Sequence, residues 1–358
     1  MSEMTDVSGS PAAKQAKPKL SLKTRLYVSL LSAVTDACRR SDGSINRRLL
    51  SFFDLRAAPN PSPVHGVRTL DLTVDASRNL WVRLFLPAGQ APSTAAGGGS
   101  RLPLVIFFHG GGFAYLSPDS RGYDLVCRRM ARRLSVVVAS VNYRLSPEHR
   151  CPAPYDDGFD FLSFIDSGGM DAEVAELADF SSCFLAGDSA GANICHHVAH
   201  RWAAAASAGD GWKKVNLSGI ILIQPYFGGE ERTESEIRLT GAPLVSTDRS
   251  DWLWRAFLPK GADRDDEAAN VFGPKAKSEL EKDFPAAMVV VGGHDPLQDW
   301  QRRYCESLRA KGREVVKMEF PDAIHAFYIF PEISDSGRLI DEIGSFIRSR
   351  LSPALEAE

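Results

Sequence analysis

The chain has 358 residues, of which 44% are hydrophobic and 24% charged, a composition typical of a globular protein with a sizeable core. Because 42 Lys and Arg face 45 Asp and Glu, no basic field is available to recruit nucleic acid or anionic lipid. No apolar run reaches the ~20 residues of a membrane-spanning helix. We therefore expect a small-molecule partner and a cytoplasmic location, with the nucleus as a second compartment; the oligomeric state stays open.

The cysteines are the residues most able to signal a metal site or a disulfide framework. There are six, and none forms a Cys-x-x-Cys pair. Reduced thiols, mostly buried, are the ordinary state of cysteines spaced in this way. The sequence predicts no metal and no cofactor.

The N-terminal region differs from the rest of the chain. Residues 1–19 are rich in Ser, Pro, Ala and Lys without apolar periodicity, which predicts a disordered tail. Apolar spacing predicts one helix from residue 20 to about 40 and a short second helix over 46–53. Residues 20–56 are therefore interpreted as a helical segment, either a lid or a static packing element, that precedes the domain at 57–352.

The remainder alternates strand and helix patterns, beginning with an antiparallel pair at 70–74 and 80–86. Buried strands are predicted at 104–108, 136–141, 183–186, 220–223, 288–291 and 315–320. Helical patterns separate most of them, and a charged segment over 227–284 interrupts the alternation and adds helices. An α/β fold with a mostly parallel sheet and helices on both faces follows. We expect the functional site at the carboxyl ends of the strands.

The sequence Gly187-Asp188-Ser189-Ala190-Gly191 is a G-x-S-x-G motif between a predicted strand and a predicted helix. Glycines flank the serine because the tight turn brings neighbouring backbone very close. The serine is thereby exposed at a helix N-terminus, where N–H groups favour developing negative charge. Ser189 is the predicted nucleophile, with a chance glycine-rich turn as the alternative.

The sequence His109-Gly110-Gly111-Gly112 directly follows the third predicted strand. Glycines there allow backbone N–H groups to approach a substrate oxygen. We expect an oxyanion hole formed by Gly110, Gly111, Gly112 and Ala190, in which the last three donate. His109 is interpreted as a structural hydrogen-bonding residue.

A serine nucleophile requires a base to accept its proton. His325 lies in a loop after the last predicted strand, where the chain order serine, acid, histidine places the base. His196, His197 and His200 follow Ser189 on the same predicted helix and are interpreted as packing or solvated residues.

The acid that orients His325 has two candidates. Asp295 follows the predicted strand at 288–291 and would accept the Nδ1 proton of the base, which fixes its tautomer. Asp299 lies four residues further on and is expected to begin and cap the next helix. Asp295 is therefore favoured.

Several motifs together resemble the plant carboxylesterases of the hormone-sensitive-lipase-like α/β-hydrolase family, the group that includes the gibberellin receptors. They are HGGGF at 109–113, NYRLSPEHR at 142–150, PYDD at 154–157, GDSAG at 187–191, HDPL at 294–297 and HAF at 325–327. Similarity runs from about residue 20 to 351. The resemblance implies an α/β-hydrolase fold with an N-terminal helical lid.

The resemblance also implies a serine carboxylesterase that hydrolyses esters of small, largely apolar molecules through an acyl-enzyme. The receptors of the family have lost the catalytic histidine and use the N-terminal helices as a lid over a bound hormone. This chain keeps His325, which favours the enzyme. The alternative is a low-turnover or non-catalytic hormone-binding protein, and an amidase or lactonase would differ only in substrate.

Two further expectations concern the surroundings of the site. Aromatic residues close to a core usually belong to the core, so the pocket residues are given only as candidates: Phe113, Tyr115, Tyr226, Phe327 and, beside the serine, Asp188. Within 142–150, Arg144 and Glu148 are predicted to pair and to brace the loop near the site.

Overall fold

The structure is a computed structural model that describes residues 18–89, 101–208, 211–276 and 279–351. The predicted tail at 1–19 lies outside these ranges except for its last two residues. None of the helices within them is long and apolar enough to cross a membrane.

Both predicted N-terminal helices are present, and each begins at a side-chain cap. Helix α1 (Leu22–Cys38) begins where the Ser21 hydroxyl accepts the N–H of Thr24 at 3.1 Å, and α2 (Arg47–Phe53) begins after Asn46, whose side chain accepts the N–H of Leu49. Such caps satisfy N–H groups that the helix itself cannot. We call α1 and α2 together the N-terminal helical segment.

The centre of the fold is a sheet of eight strands within the described residues. They are β1 (Val67–Asp75), β2 (Leu80–Pro87), β3 (Leu102–Phe108), β4 (Val137–Val141), β5 (Ala178–Asp188), β6 (Leu217–Ile223), β7 (Ala287–His294) and β8 (Val315–Ile324). Their spatial order is β1-β2-β4-β3-β5-β6-β7-β8, with β2 antiparallel to β1 and β4 and all other pairs parallel. The predicted mostly parallel sheet is confirmed.

Helices cover both faces of this sheet. They are α3 (Arg121–Leu134), α4 (Ala153–Asp166), α5 (Ala172–Leu177), α6 (Ala190–Ser207), α7 (Glu234–Arg238), α8 (Thr247–Phe257), α9 (Gln298–Ala310) and α10 (Ser334–Leu351). Alternate residues of β3 enter two separate apolar clusters, Leu104 and Ile106 in one and Val105 and Phe107 in the other. Burial on both faces explains why the strands read as continuous apolar runs. As predicted, α7 and α8 fall in the charged segment over 227–284.

The N-terminal helical segment packs on α8 and on the loop that follows the glycine run. Val34, Cys38 and Leu50 form an apolar cluster with Ala114 and Tyr115. Ion pairs join the same elements, between Arg47 of α2 and Glu148 and between Asp36 of α1 and Arg249 of α8. The segment therefore lies over the strand ends where the site was expected.

The predicted pair of Arg144 and Glu148 is wrong. Arg144 instead pairs with Asp157 of α4, which is fully buried, at 2.9 Å, and Glu148 pairs with Arg47 of α2 at 2.6 Å. A buried carboxylate requires a cation or strong hydrogen-bond donors, which explains the pairing of Asp157. The spacing of residues within 142–150 could not predict either of the partners found, because both lie outside that segment. Glu148 consequently anchors the N-terminal helical segment.

Candidate active site

The turn between β5 and α6 holds Ser189 in a strained backbone conformation, with φ 51° and ψ −118°. Gly191 packs so closely on the carbonyl group of Phe108 that a side chain there would overlap it. A Cβ on Gly187 would lie 2.5 Å from the carbonyl carbon of Gly191. The backbone N–H of Ser189 donates to the carbonyl oxygen of Ile223 at 2.9 Å. The strand, turn and helix predicted around the motif are confirmed.

The loop after β3 contains Gly111 and Gly112, both with positive φ, 104° and 60°. Within the described ranges, their N–H groups donate to no protein acceptor. Ala190 is the first residue of α6, so its N–H has no acceptor inside the helix. Gly110 differs, since its N–H donates to the Asp188 carboxylate at 2.8 Å. Gly110 therefore does not fit the expected oxyanion hole as a donor, because its N–H is already bound.

His325 follows β8, and its Nδ1 lies 2.8 Å from Oδ2 of Asp295, which follows β7 and is fully buried. The competing candidate, Asp299, lies in the first turn of α9 and accepts the N–H of Ser235 at 2.8 Å. It does not cap the helix, because the cap position is Leu297. Of the two carboxylates, Asp295 is the one that contacts His325.

Two glutamines that sequence reasoning missed hold this pair in place. Gln224 and Gln301 donate from Nε2 to Oδ2 of Asp295 at 3.0 and 2.9 Å. The Gln224 side chain also accepts the N–H of Ala326 at 2.8 Å, which fixes the loop carrying His325. The one sequence signal for Gln224 is its position directly after β6, at the carboxyl end of a central strand.

The electrostatics of His325 follow from this arrangement. Burial disfavours its imidazolium, but the charge of Asp295 and the hydrogen bond to it outweigh burial and raise the pKa of His325 above 6.5. In the described part of the chain, neither Nε2 of His325 nor the hydroxyl of Ser189 makes a hydrogen bond to protein. Hydrogen bonds between such groups often form fully only once substrate is bound.

Two of the histidines interpreted as structural or packing residues, His109 and His196, occupy packed positions. His109 is fully buried, stacks on Tyr143 with ring centroids 4.3 Å apart, and places Nδ1 2.8 Å from the Gly110 carbonyl oxygen. Burial lowers its pKa to about 4, so it stays neutral near pH 7. His196 contacts the Tyr304 hydroxyl at 2.9 Å.

Three of the aromatic pocket candidates are packed inside the core. Phe113 stacks on Phe257 with a centroid separation of 3.6 Å, and Tyr226 stacks on Trp254 at 4.2 Å. Phe327 is fully buried. Their contacts are those of core residues, so they are not part of the site that we describe.

The space above the glycine loop is bounded by Leu253 of α8, which sequence reasoning also missed. A Cβ added to Gly112 would overlap the Leu253 side chain. Tyr115 lies nearby in the apolar cluster under the N-terminal helical segment, where Leu253 also packs. The side of the glycine loop that faces α8 is therefore lined by apolar side chains.

A family model described as the α/β hydrolase fold matches residues 105–329 of the chain. The chain belongs to the α/β-hydrolase family. Two Arabidopsis thaliana relatives of this hydrolase differ in their named roles. The gibberellin receptor GID1C is 39% identical over 346 residues, with 94% of this chain and 96% of the receptor covered. Carboxylesterase 20 is 39% identical over 279 residues, with 77% of this chain and 84% of the relative covered.

Solved structures of an α/β-hydrolase enzyme and of an esterase share the fold of this chain. An α/β-hydrolase enzyme from the metagenome of Lake Arreo has a TM-score of 0.70 at 27% identity, covering 92% of this chain and 98% of its own. The Pyrobaculum calidifontis esterase has a TM-score of 0.66 at 25% identity, covering 94% and 95%. The hydrolase is accordingly carboxylesterase-like in fold and family.

Proposed function

We propose that the protein is a serine carboxylesterase that hydrolyses esters of small, largely apolar molecules, with Ser189, His325 and Asp295 as its triad. The observation that carries the proposal is the 2.8 Å contact between His325 Nδ1 and Asp295 Oδ2. That contact leaves Nε2 as the nitrogen able to accept the serine proton.

In the proposed reaction, the Ser189 hydroxyl oxygen attacks the ester carbonyl carbon while His325 Nε2 takes its proton. The N–H groups of Gly111, Gly112 and Ala190 would stabilise the oxyanion of the tetrahedral intermediate. The bond to the alcohol oxygen then breaks, and His325 returns the proton to the leaving alcohol. Water repeats the sequence on the acyl-enzyme, releasing the acid and the free serine.

The preference for apolar esters rests on the surroundings of Gly112. Leu253 packs directly on this glycine, and the neighbouring cluster of α1, α2 and α8 is apolar. A small apolar acyl or alcohol group gains by leaving water there, by about 25 cal/mol for each Å² buried.

The second candidate function is hormone binding without turnover. It is favoured by the 39% identity to a gibberellin receptor over 94% of this chain and by the N-terminal helical segment over the strand ends. In that case the pocket would hold a small molecule beneath the segment, and the serine would be idle.

Hydrolysis of p-nitrophenyl acetate and butyrate separates the two candidates. We expect turnover by the wild type, and a loss of at least ~1000-fold in Ser189→Ala and in His325→Ala. Ser345→Ala, an exposed serine of α10, is the matched control and should behave as wild type. Equal, negligible rates in wild type and Ser189→Ala, together with thermal stabilisation by gibberellin, would favour the binding protein.

A further inference from the structure

The residue before the nucleophile, Asp188, has a buried side chain that faces the glycine loop. Its Oδ1 accepts the N–H of Gly110 at 2.8 Å, and its Oδ2 accepts the hydroxyl of Tyr123 at 3.0 Å. The Tyr123 hydroxyl oxygen in turn accepts the same Gly110 N–H at 2.8 Å. These three groups form a closed set of contacts that joins the serine turn to the loop after β3. The triad does not use them.

We propose that Asp188 is a positioning residue of the esterase reaction, holding the glycine loop in register with Ser189 and favouring the imidazolium of His325 through its charge. This inference rests on the proposed esterase function. It adds a second carboxylate to the proposed site, beside that of Asp295.

The positioning role follows from the chain path. Gly111 and Gly112 directly follow Gly110, so their N–H groups move whenever Gly110 moves. A Cβ on Gly110 would lie 2.8 Å from the Tyr123 hydroxyl oxygen and still closer to Asp188, which shows how tightly the backbone is held there. Oxyanion donors act only within about 2.7–3.1 Å of the developing charge. Without the contact to Asp188, the loop would no longer hold the N–H groups of Gly111 and Gly112 within this distance.

The electrostatic role follows from burial. Asp188 is 3% exposed, and among the described residues no Lys or Arg side chain pairs with its carboxylate. Burial raises the pKa of Asp188 to about 6, against the opposing effect of the hydroxyl and N–H groups that face it. Burying a carboxylate without a cation beside it costs folding free energy, and carboxylates of this kind are concentrated at functional sites. The charge of Asp188 raises the pKa of His325 as well, after the larger effects of the Asp295 charge and of the hydrogen bond to it.

The other titratable groups that sense the Asp188 charge stay neutral near pH 7, because burial raises the pKa of each. They are Tyr123 and Cys127 of α3, Tyr143 after β4, Cys195 of α6 and Tyr328 after β8. The coupling that matters for the pH profile is therefore between Asp188 and His325.

The test is the pH dependence of kcat/KM for p-nitrophenyl butyrate. Asp188→Asn keeps the size and removes the charge, so the imidazolium is less favoured and the acid limb should move down by about 0.5 pH unit. Asp188→Ala also removes the contact to Gly110 and should lower kcat by about 100-fold or more. Asp157→Asn, another fully buried carboxylate, is the matched control and should leave the acid limb in place.

Thermal melting at each assay pH shows which variants are folded. A folded Asp188→Asn with the wild-type acid limb would overturn the electrostatic role of Asp188, and a folded Asp188→Ala with the wild-type kcat would overturn its positioning role; neither result would touch the esterase proposal. A wild type without Ser189-dependent hydrolysis would overturn both. Should Asp188→Asn fail to fold, Tyr123→Phe loosens the same contacts from the other side, and it is expected to lower kcat by about 10-fold. An unchanged kcat there would overturn the positioning role.

Discussion

Asp36 of α1 accepts two hydrogen bonds from the guanidinium of Arg249 on α8, at 2.8 and 2.6 Å. Arg39, the residue that follows α1, adds a contact to the same carboxylate and another to Asp248. Charged groups thus fasten the N-terminal helical segment to the element that also carries Leu253. The planar fork of Arg249 makes this a bidentate pair, the strongest geometry for such contacts.

Asp36→Asn should loosen this attachment with little loss of global stability. The pair is partly exposed, so we expect a change of at most about 1 kcal/mol in the free energy of unfolding. Amide hydrogen exchange in α1 should speed up, because local opening no longer breaks the bidentate pair. Asp341→Asn, which breaks an exposed pair between α10 and Arg133 of α3, is the control. Equal exchange in α1 for both variants would argue against the attachment.

The two aspartates that follow β7 provide a direct test of the proposed triad. Asp295→Asn removes the charge that favours the His325 imidazolium, so the acid limb of kcat/KM should move to lower pH and kcat should fall by about 10⁴-fold. Asp299→Asn removes a carboxylate that contacts Ser235 instead. We expect the pH profile of Asp299→Asn to match that of the wild type. A shift as large as that of Asp295→Asn would mean that Asp299, and not Asp295, orients His325.

The contact between Leu253 and Gly112 leads to a prediction about acyl size. Leu253→Ala removes the side chain that limits the space above Gly112. The ratio of kcat/KM for p-nitrophenyl octanoate to that for the acetate should rise by about 10-fold, the effect of a few methylene groups in an apolar pocket. Leu125→Ala, an exposed leucine on α3, should leave the ratio unchanged.

Stability should fall on acidification because buried histidines resist protonation. Burial keeps the pKa of His196 well below 6.5 in the fold, whereas the unfolded chain takes up a proton near that value. The stabilising contribution of neutral His196 is therefore present above pH 6.5 and is lost as pH falls below it, by about 1.4 kcal/mol per pH unit. His325 acts in the opposite sense, because its folded pKa is raised.

Urea unfolding of wild type and His196→Gln between pH 5 and 7.5 measures this effect. The variant should be less stable at pH 7.5, since it loses the contact to Tyr304. Its stability should also depend less steeply on pH below 6.5. Parallel curves for the two proteins would mean that His196 is protonated in the fold.

The sequence predicts residues whose constraints are local and misses those whose role arises between distant elements. Gly187 and Gly191 flank the serine because backbone passes too close for a side chain, and this requirement is written in five consecutive residues. No local sequence pattern identifies Gln224 or Gln301, because each contacts Asp295 only once the fold has brought β6, α9 and β8 together. The same reason explains the missed Leu253.

The sequence also could not show that the backbone N–H of Gly110 is already hydrogen-bonded within the protein. A run of glycines predicts a loop with accessible N–H groups, but the acceptor that occupies one of them belongs to β5, more than 70 residues away. Strand β5 also begins at residue 178, earlier than predicted, because its first residues pair with the start of β3 without forming an apolar run. Tertiary pairing decides both cases.

Strand β8 pairs with a single neighbour, β7, and it delivers His325 to the site. With one strand partner instead of two, β8 is held by fewer ladder hydrogen bonds than the central strands, so its local opening should cost less free energy than theirs. The proposed hydrolysis should therefore be lost reversibly at temperatures where the rest of the molecule is still folded. The highest temperature at which the protein is active would then be set by the opening of β8, and it would lie below the temperature at which the central strands unfold.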